Sequence, residues 1–388
     1  MSLLSNGHLG RDFKIITFDG GPGGGKSTMI QEIARRLRAL DWNVYVLAEA
    51  ATELFIAGFA IDSKNDLSNA LFQEFIIKYS LARENCFVEA VRHSVAAKKV
   101  LLLDRSIMTN LFYAGPELFD GILKLFGLSR LDVRNRRSDA VFHLQSSACF
   151  SDELYLSIRA NNRARTEDSA EARFKDGKTC EANLGHHHLR IIPAMEDRDK
   201  KFDLLWRHVQ RVLGIPKSLE IERKFLVEGL TDPLPIPHVT LNVSQTYLEK
   251  LPDGTRPRIR MVSESGFPSP FVMYRTVKKR IGNSAMSKEE TEEEIDSLTY
   301  SRLFANADPT RKTVIKSRTY FVYSDQCFEL DDFRIPYDNL HELEIELLSE
   351  SDPVDLPPFF RIIKEVTGDP NYSNNNIAKL SLGRDRHL

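Results

Sequence analysis

The first half of the chain alternates short apolar runs with segments long enough to form helices. The runs are FKIITF (13–18), NVYVLAEA (43–50), KKVLLLD (98–104), DAVFHLQ (139–145) and LRIIP near Leu189. Such runs are typical of buried strands in a parallel sheet. Apolar residues at helical spacing predict helices over Met29 to Leu40 and Asp199 to Leu213. We therefore predict an α/β domain with a parallel sheet over residues 13–214, after an N-terminal tail of residues 1–12.

After Lys217 the hydrophobic pattern changes to a period of two. The alternating segments are LEIERKFLV, TRPRIRMV, PFVMYRTVK, KEETEEEI, TVIKSRTYFVY, CFELDDF and HELEIEL. Turn signals such as Pro252-Asp253-Gly254 separate them, and a late helix is expected over Arg361 to Val366. This pattern predicts an antiparallel sheet or barrel over residues 219–388, joined to the first domain by a linker at residues 215–218.

The length of the chain agrees with a division into two domains, and its charge gives no indication of a nucleic-acid-binding protein. The chain has 388 residues, of which 42% are hydrophobic, so two domains can each bury a core. Its 53 basic and 55 acidic side chains nearly cancel, which gives no general attraction to nucleic acid. The four cysteines form no CxxC pair, and neither a signal-peptide pattern nor a transmembrane segment is recognisable. We expect a cytoplasmic protein, with peripheral membrane association as an open alternative.

A phosphate-loop motif follows the first apolar run. The residues GGPGGGKS, from Gly20 to Ser27, fit the Walker A pattern GxxxxGK[ST] between a predicted strand and a predicted helix. Glycines let successive N–H groups turn toward one anion, Lys26 reaches the outer phosphates, and the Ser27 hydroxyl can hold Mg²⁺. The expected nucleotide-binding residues of this loop are Gly20, Gly23, Gly24, Gly25, Lys26, Ser27 and Thr28.

Further charged residues lie where an α/β sheet binds its ligands. Asp104 ends the third apolar run and is a candidate magnesium ligand or catalytic base, and Glu49 ends the second run. Arg105 follows as a candidate nucleotide contact. Downstream, the arginines that could close over a transferred phosphoryl group are Arg163, Arg165 and Arg173. The alternatives are solvated loop acids and an ordinary exposed charged helix.

The chain order of phosphate loop, Glu49, Asp104-Arg105-Ser106 and arginine segment resembles the P-loop kinase-like ATPases, a group that contains nucleoside and nucleotide kinases. The resemblance covers about residues 12–214. It implies a nucleotide-binding domain in which Asp104 is a base or metal partner and the three arginines form a lid. No NKxD motif is present to read guanine, so ATP is favoured by default and GTP remains open.

Charged residues recur on one face of nearly every predicted strand of the second domain. Glu220, Glu222 and Lys224 share one face of the first strand. The same spacing recurs at Arg258/Arg260, Lys278, Glu290/Glu292, Lys316/Arg318, Glu329/Asp331 and Glu344/Glu346. Because burying unpaired charges is costly, this face must line water or a ligand. A closed barrel with a polar lumen would hold polyphosphate with its cations and Mg²⁺ with its carboxylates, whereas the alternative is an ordinary solvated sheet face.

Glu220-x-Glu222-x-Lys224 resembles the ExExK signature of the CYTH domain, also called the triphosphate tunnel metalloenzymes, and the resemblance runs nearly to the C-terminus. It implies an eight-stranded antiparallel tunnel that binds a triphosphate and Mg²⁺ or Mn²⁺. The implied phosphate-binding residues are Lys224, Arg258, Arg260, Lys278, Lys316 and Arg318. The candidate metal ligands are Glu220, Glu222, Glu290, Glu292, Asp331, Glu344 and Glu346. Catalysis would use Glu222 and a water activated by metal or by Lys224.

The order of the two domains resembles two groups of proteins. Plant tunnel metalloenzymes fuse a uridine-kinase-like domain to the tunnel. The animal group of the fly TRPL translocation defect protein, whose layout is more similar, is associated with GTP binding, phospholipid binding and vesicle trafficking. Our first hypothesis is a metal-dependent hydrolase of an inorganic or organic triphosphate, with a P-loop domain that binds ATP or GTP or phosphorylates a nucleotide, as an NTPase or a kinase. The alternatives are a nucleotide-regulated module that binds an anionic phospholipid or other phosphorylated ligand, and a class IV adenylate cyclase.

Overall fold

The computed structural model describes residues 9–61, 67–160, 167–229, 233–264, 271–282, 284 and 286–379. The chain divides into two compact units, Met1–Leu213 and Gly214–Leu388. No helix among the described residues is long and apolar enough to cross a membrane.

The first unit is built on a parallel five-stranded sheet in the order β2-β3-β1-β4-β5. Its strands are β1 (Lys14–Asp19), β2 (Asn43–Leu47), β3 (Lys99–Asp104), β4 (Ala140–Leu144) and β5 (Leu189–Ile192). These strands coincide with the five apolar runs of the sequence, and β4 is buried at every position. The α/β fold predicted for this half of the chain is confirmed.

Helices connect the strands and cover the sheet. They are α1 (Lys26–Arg38), α2 (Ala50–Ile56), α3 (Asn69–His93), α4 (Asn110–Ala114), α5 (Pro116–Leu125), α6 (Arg130–Asn135), α7 (Asp152–Ala160), α8 (Ser169–Asn183) and α9 (Arg198–Val212). Val88 and Val91 of α3 pack with Leu101 and Leu103 of β3 in the core, and α1 buries Ile33 and Leu37. Removing these apolar side chains from water is the main stabilising contribution to this arrangement.

The second unit is a closed antiparallel barrel of eight strands in the order β10-β9-β8-β7-β11-β12-β13-β6, which β10 closes by pairing with β6. The strands are β6 (Leu219–Val227), β7 (His238–Tyr247), β8 (Arg258–Glu264), β9 (Phe271–Arg280), β10 (Ser287–Ile295), β11 (Val314–Tyr323), β12 (Gln326–Ile335) and β13 (His341–Glu346). The predicted eight-stranded barrel is confirmed. Closure pairs both edges of the sheet, so the alternation along each strand separates a lumen from an outer surface.

Two elements of the barrel unit differ from the sequence-based expectation. The helix expected over Arg361 to Val366 is wrong, because β14 (Ile362–Glu365) pairs as a strand with β6. Arg223 supports this strand with two hydrogen bonds, of 2.9 and 2.7 Å, to the carboxylate of Glu365. Strand β7 was not among the seven predicted segments, since its polar positions carry no charge.

Apolar side chains cover the barrel outside and fill one end of it inside. Helix α10 (Ser297–Phe304) packs on the outer face of β8 and β10 at Ile259 and Ile295, and α11 (Asn374–Ile377) belongs to the C-terminal segment. The apolar plug, a buried cluster at the end of the lumen, consists of Leu226, Tyr247, Val314, Phe333, Leu340, Val366, Tyr372, Ile377 and Ala378. The charged residues of the lumen therefore lie against an apolar floor.

Candidate functional site

The phosphate loop connects β1 to α1 and leaves the first turn of the helix open. Gly25 precedes α1 with φ of 83°, and within the described residues no side chain caps the helix N-terminus. Ser27 and Thr28 are exposed in this first turn. Uncapped N–H groups and the helix dipole make this end of α1 a favourable position for an anion.

Three glycines of the loop have no room for a side chain. A Cβ on Gly20 would lie 2.1 Å from the Leu144 carbonyl oxygen, and one on Gly24 would lie 2.4 Å from the same atom. Gly20 also has φ of 136°. A Cβ on Gly21 would lie 2.7 Å from the Asp176 side chain. The glycines thus let the loop pack directly on the end of β4.

Lys26 folds back over its own loop. Its ammonium donates hydrogen bonds to the carbonyl oxygens of Gly20 at 2.8 Å and Gly21 at 3.2 Å. Burial and the neighbouring Arg105 lower the pKa of Lys26, while Glu49 and Asp104 oppose this shift. An incoming phosphate would offer the ammonium a charged acceptor in place of two neutral carbonyls.

Asp104 lies next to Ser27, as a shared metal site requires. The Ser27 hydroxyl donates to Asp104 Oδ2 at 2.9 Å, and Asp104 Oδ1 is buried without a hydrogen-bond partner in the described residues. Burial raises the pKa of Asp104, although Lys26 and Ser27 act in the opposite direction. A hydroxyl and a carboxylate oxygen are hard ligands, so this donor set fits Mg²⁺.

A cavity continues from this point along the carboxyl ends of β2 and β3. Arg105 pairs with Glu49 inside it and has a left-handed backbone with φ of 95°, which is unusual for a residue other than glycine. Arg83 on α3 donates to Glu53 at 2.6 Å. The lining includes Leu47, Glu49, Ile76, Ser80, Arg83, Asp104, Arg105, Ile107 and Asn110. The cavity therefore presents two guanidinium groups, Arg83 and Arg105, and three carboxylates, Glu49, Glu84 and Asp104, beside the phosphate loop.

The structure places only one of the three proposed lid arginines. Arg173 on α8 donates to the Ala148 carbonyl at 2.8 Å and pairs with Asp152, and 42% of its side chain is exposed. Arg163 and Arg165 lie outside the described residues. Arg173 thus acts here as a link between α8 and the start of α7, and its nucleotide contact stays a prediction.

The barrel brings the charged strand positions together in its lumen. Glu222 is opposite Glu346, Lys224 is opposite Glu344, and Arg318 is opposite Asp331 in the strand registers. Directly opposed residues of neighbouring strands share a face. Arg258, Lys278 and the glutamates of β10 follow the same rule on the other side of the barrel.

Seven cations of the lumen are each paired with a carboxylate. The pairs are Lys224–Glu344, Arg258–Glu290, Arg260–Glu292, Lys278–Glu220, Lys288–Glu222, Lys316–Asp331 and Arg318–Asp331. Arg318 is the most connected cation, because it also contacts Glu329 and lies 2.8 Å from Glu344. Lys288 is thus a lumen cation that the list of phosphate-binding residues lacked.

Burial and opposite charge shift the pKa values of this lumen in different directions. Burial alone would lower the pKa of Lys224, but Glu222 and Glu344 raise it well above its usual value. The pKa of Glu222 is held below its usual range by three lysines, although burial opposes this. Burial and the neighbouring Glu290 raise the pKa of Glu220 to about 8. Lys224 is therefore a permanent cation at neutral pH, which argues against its proposed use as a base.

Glu342 is a lumen residue that the sequence analysis missed. It is fully buried, lies opposite Asp331 and Leu226, and has no hydrogen-bond partner for either carboxylate oxygen in the described part of the chain. Burial raises its pKa to about 8, with Glu344 and Asp331 adding to the shift. The spacing Glu342-x-Glu344-x-Glu346 was the available signal, because strand residues two apart share a face.

The lumen oxygens fit a divalent cation once their lysine and arginine partners have another anion to bind. Among the described residues, no group of three or more His, Cys, Asp or Glu side chains is arranged as a ready metal site. Asp331, for example, is fully buried against Lys316 and Arg318. The unpartnered oxygens of Glu342 beside Glu344 nevertheless offer the hard donors that Mg²⁺ and Mn²⁺ prefer.

Comparison with known proteins gives relatives for the two kinds of domain. The family model described as AAA domain matches residues 15–198. The thymidylate kinase of Enterococcus faecalis is 23% identical over 192 residues, which are 48% of this chain and 86% of the kinase. The thymidylate kinase of Exiguobacterium sibiricum is 27% identical over 185 residues, 46% of this chain and 85% of the kinase.

A solved structure shares sequence with this chain as well. The crystal structure of the inorganic triphosphatase NE1496 is 30% identical and covers 42% of this chain and 99% of its own, with a TM-score of 0.29. The closed antiparallel barrel and its ExExK strand are observed directly in the present structure. The chain therefore joins a P-loop domain of the AAA and nucleotide-kinase type to an eight-stranded barrel of the CYTH, or triphosphate tunnel, type.

Proposed function

We propose that the barrel binds a triphosphate in its lumen and hydrolyses it with Mg²⁺ or Mn²⁺, while the P-loop domain binds ATP or GTP. One observation carries the proposal: every one of the seven lumen cations named above is held by a carboxylate, above an apolar floor. Such a site has its cations in place for phosphate, and its carboxylates would become available to a metal once those cations bind phosphate instead.

Binding would exchange partners within the lumen. A triphosphate offers many charged oxygens, so Lys224, Arg318 and their neighbours would transfer their hydrogen bonds from carboxylates to phosphates. The released carboxylates, chiefly Glu222 and Glu344, would then be free to hold the divalent cation. Triphosphate binding would increase the affinity for the metal, because it removes the lumen cations that compete for the carboxylates. Metal binding would increase the affinity for the triphosphate in the same way, because it removes the carboxylates that compete for the cations.

The lumen side chains have separate tasks in hydrolysis. A bound Mg²⁺ or Mn²⁺ would supply Lewis-acid chemistry at a phosphoryl oxygen. Lys224 would bind and orient the phosphate chain as a cation, because its raised pKa keeps it protonated. Arg260 and Arg318 would stabilise the negative charge of the transition state from fixed positions. The plug would exclude water from one end of the site.

The experiment is phosphate release from tripolyphosphate and from ATP with Mg²⁺ and with Mn²⁺. We expect Glu222→Ala to abolish tripolyphosphate hydrolysis, and Lys26→Ala and the exposed-site control Glu249→Ala to retain it. Failure of the wild-type protein to release phosphate from tripolyphosphate, nucleotides or thiamine triphosphate would contradict the proposal. If nucleotide still bound in that case, flotation with vesicles containing phosphatidic acid would test the phospholipid-binding alternative. Cyclic AMP among the products from ATP would instead support the cyclase alternative.

The cavity beside the phosphate loop favours a second candidate function, phosphoryl transfer by the P-loop domain. It continues from the Ser27–Asp104 pair and contains Arg83 and Arg105, so a phosphorylated acceptor could lie next to the outer phosphate of ATP. The similar thymidylate kinases make thymidine monophosphate the first acceptor to test. Transfer of label from γ-labelled ATP that disappears in Asp104→Asn, with tripolyphosphate hydrolysis unchanged, would support this activity. The absence of label transfer to any nucleoside or nucleotide would contradict it.

A further inference from the structure

Two buried side chains of opposite charge fasten the phosphate loop to the segment after β4. Asp176 on α8 is 3% exposed, and Lys201 on α9 is 6% exposed. Asp176 Oδ1 accepts hydrogen bonds from the N–H groups of Gly21 at 2.8 Å and Ser146 at 2.9 Å. The Lys201 ammonium donates to the carbonyls of Gly24 at 3.1 Å and Gln145 at 2.9 Å.

The two contacts are complementary. The Asp176 carboxylate binds the Gly21 N–H near the start of the loop, and the Lys201 ammonium binds the Gly24 carbonyl nearer its end. In the segment after β4, Asp176 also binds the N–H of Ser146, and Lys201 also binds the carbonyl of Gln145. Burying a charge is costly, so charged groups that bond to backbone in this way fix the peptides that satisfy them. Neither Asp176 nor Lys201 belongs to the Walker A pattern, and both come from helices far along the chain.

We propose that Asp176 and Lys201 are positioning residues for nucleoside triphosphate binding. They hold the Gly21 and Gly24 peptides so that the phosphate loop has its binding shape before the nucleotide arrives. The ordering of the loop then does not have to be achieved at the binding step, which increases affinity. This inference rests on the proposed nucleotide binding by the P-loop domain.

The surroundings determine when each group is charged. Burial lowers the pKa of Lys201 to about 8; Lys26 adds to this shift, while Asp176 and Cys149 oppose it. Burial would raise the pKa of Asp176, but His143 on β4 and the two N–H donors lower it. Below about pH 8 the loop is therefore held by an ammonium and a carboxylate, and above this pH Lys201 loses its charge.

Hydrogen–deuterium exchange of the ligand-free full-length protein tests the contacts without nucleotide. We expect the loop peptide to exchange faster in Lys201→Met and in Asp176→Asn. The matched control is Lys200→Met, because Lys200 is 79% exposed on the same helix and contacts only the exposed Asp197 in its described ion pairs. Loop exchange in Lys201→Met equal to that of the wild type would overturn the proposal, even if the protein bound no nucleotide.

Calorimetric titration with MgATP provides the functional readout. We expect Lys201→Met to weaken binding about tenfold, as for the loss of one charge-assisted hydrogen bond, and Lys201→Arg to restore most of it. Wild-type affinity should fall above about pH 8, whereas Lys201→Arg should retain it. A purely stabilising role would lower the unfolding midpoint of Lys201→Met and leave its affinity and the pH profile unchanged, which would contradict the proposal. Absence of MgATP binding by the wild type would instead refute the proposed nucleotide binding.

Discussion

The ammonium of Lys224 and the carboxylate of Glu344 are opposed on the neighbouring strands β6 and β13 and form a buried ion pair in the barrel lumen. Each keeps the other charged: Glu344 raises the pKa of Lys224, and Lys224 lowers that of Glu344 although burial opposes this. The pair therefore holds an ammonium and a carboxylate side by side, each in the charged form that phosphate binding and metal binding require.

Removing the cation of this pair should affect both stability and function. We expect Lys224→Met to destabilise the barrel by about 3–5 kcal/mol, because Glu344 would remain buried with less compensation. Tripolyphosphate hydrolysis should fall at least about tenfold through loss of one phosphate contact. Urea unfolding and phosphate release measure the two effects. Lys279→Met, at an exposed outer position paired with Asp253 at 2.8 Å, is the control and should change neither.

Glu342 should oppose stability while supporting function. Its raised pKa of about 8 means that the folded state keeps this carboxyl protonated, whereas the unfolded state loses the proton at about pH 4.5. The free energy of unfolding therefore decreases as pH rises from about 4.5 to about 8. We expect Glu342→Gln to increase the free energy of unfolding at pH 8 and to reduce metal-supported hydrolysis at least about tenfold. Denaturant unfolding at pH 6 and pH 8 and a Mn²⁺ titration of the activity measure these effects. Lower stability of Glu342→Gln at pH 8 would contradict the argument, and Glu249→Gln is the exposed control.

Gly24→Ala should abolish nucleotide binding by the P-loop domain. The added Cβ would lie 2.4 Å from the Leu144 carbonyl oxygen, so the loop must move away from β4. Gly121→Ala is the matched control, because a Cβ there meets nothing within 4 Å on the helix α5. We expect Gly121→Ala to bind nucleotide as the wild type does and to be more stable by up to about 1 kcal/mol. Unimpaired MgATP binding by Gly24→Ala in a calorimetric titration would contradict this prediction, because the loop would then accommodate the added side chain without losing its binding shape.

Asp139 should stabilise the P-loop domain in a pH-dependent way. Arg11, Lys14 and the Ile15 N–H lower its pKa to about 2, although burial opposes this. Because the folded-state pKa is below the unfolded value, the contribution is present above about pH 4 and disappears as pH falls toward 2. We expect Asp139→Asn to cost roughly 2 kcal/mol at pH 7 and little near pH 2.

Tryptophan fluorescence can follow this domain separately, since both tryptophans, Trp42 and Trp206, lie in the first unit. Asp203→Asn is the control, because Asp203 is 67% exposed and its 3.7 Å pair with Arg36 should be worth less than about 1 kcal/mol. An equal loss of stability in the two variants would contradict the role assigned to Asp139.

The sequence by itself determined the two fold classes and the main residues of both candidate sites. Buried parallel strands appear as continuous apolar runs, and a loop that wraps phosphate needs its glycines and Lys26 at fixed spacing. In the barrel half, charges at every second position, as at Glu220 and Glu222, must face water or a ligand, and their recurrence on nearly every strand favours a common polar lumen. These properties are local, and so they are visible along the chain.

Only the tertiary structure decided which groups meet and in which charge state. The strand register placed Glu344 opposite Lys224 and Glu220 opposite Lys288, whose ion pair is with Glu222, and it left Glu342 without a hydrogen-bond partner among the described residues. Strand β7 was not predicted because it carries no charged side chains at its polar positions. Strand β14 was predicted as a helix because four residues are too few to distinguish the hydrophobic period of a strand from that of a helix. Asp176 and Lys201 reach the phosphate loop across more than a hundred residues of chain, as the separations of 155 and 177 positions show. Burial and long-range contact depend on the whole fold, and no local pattern encodes them.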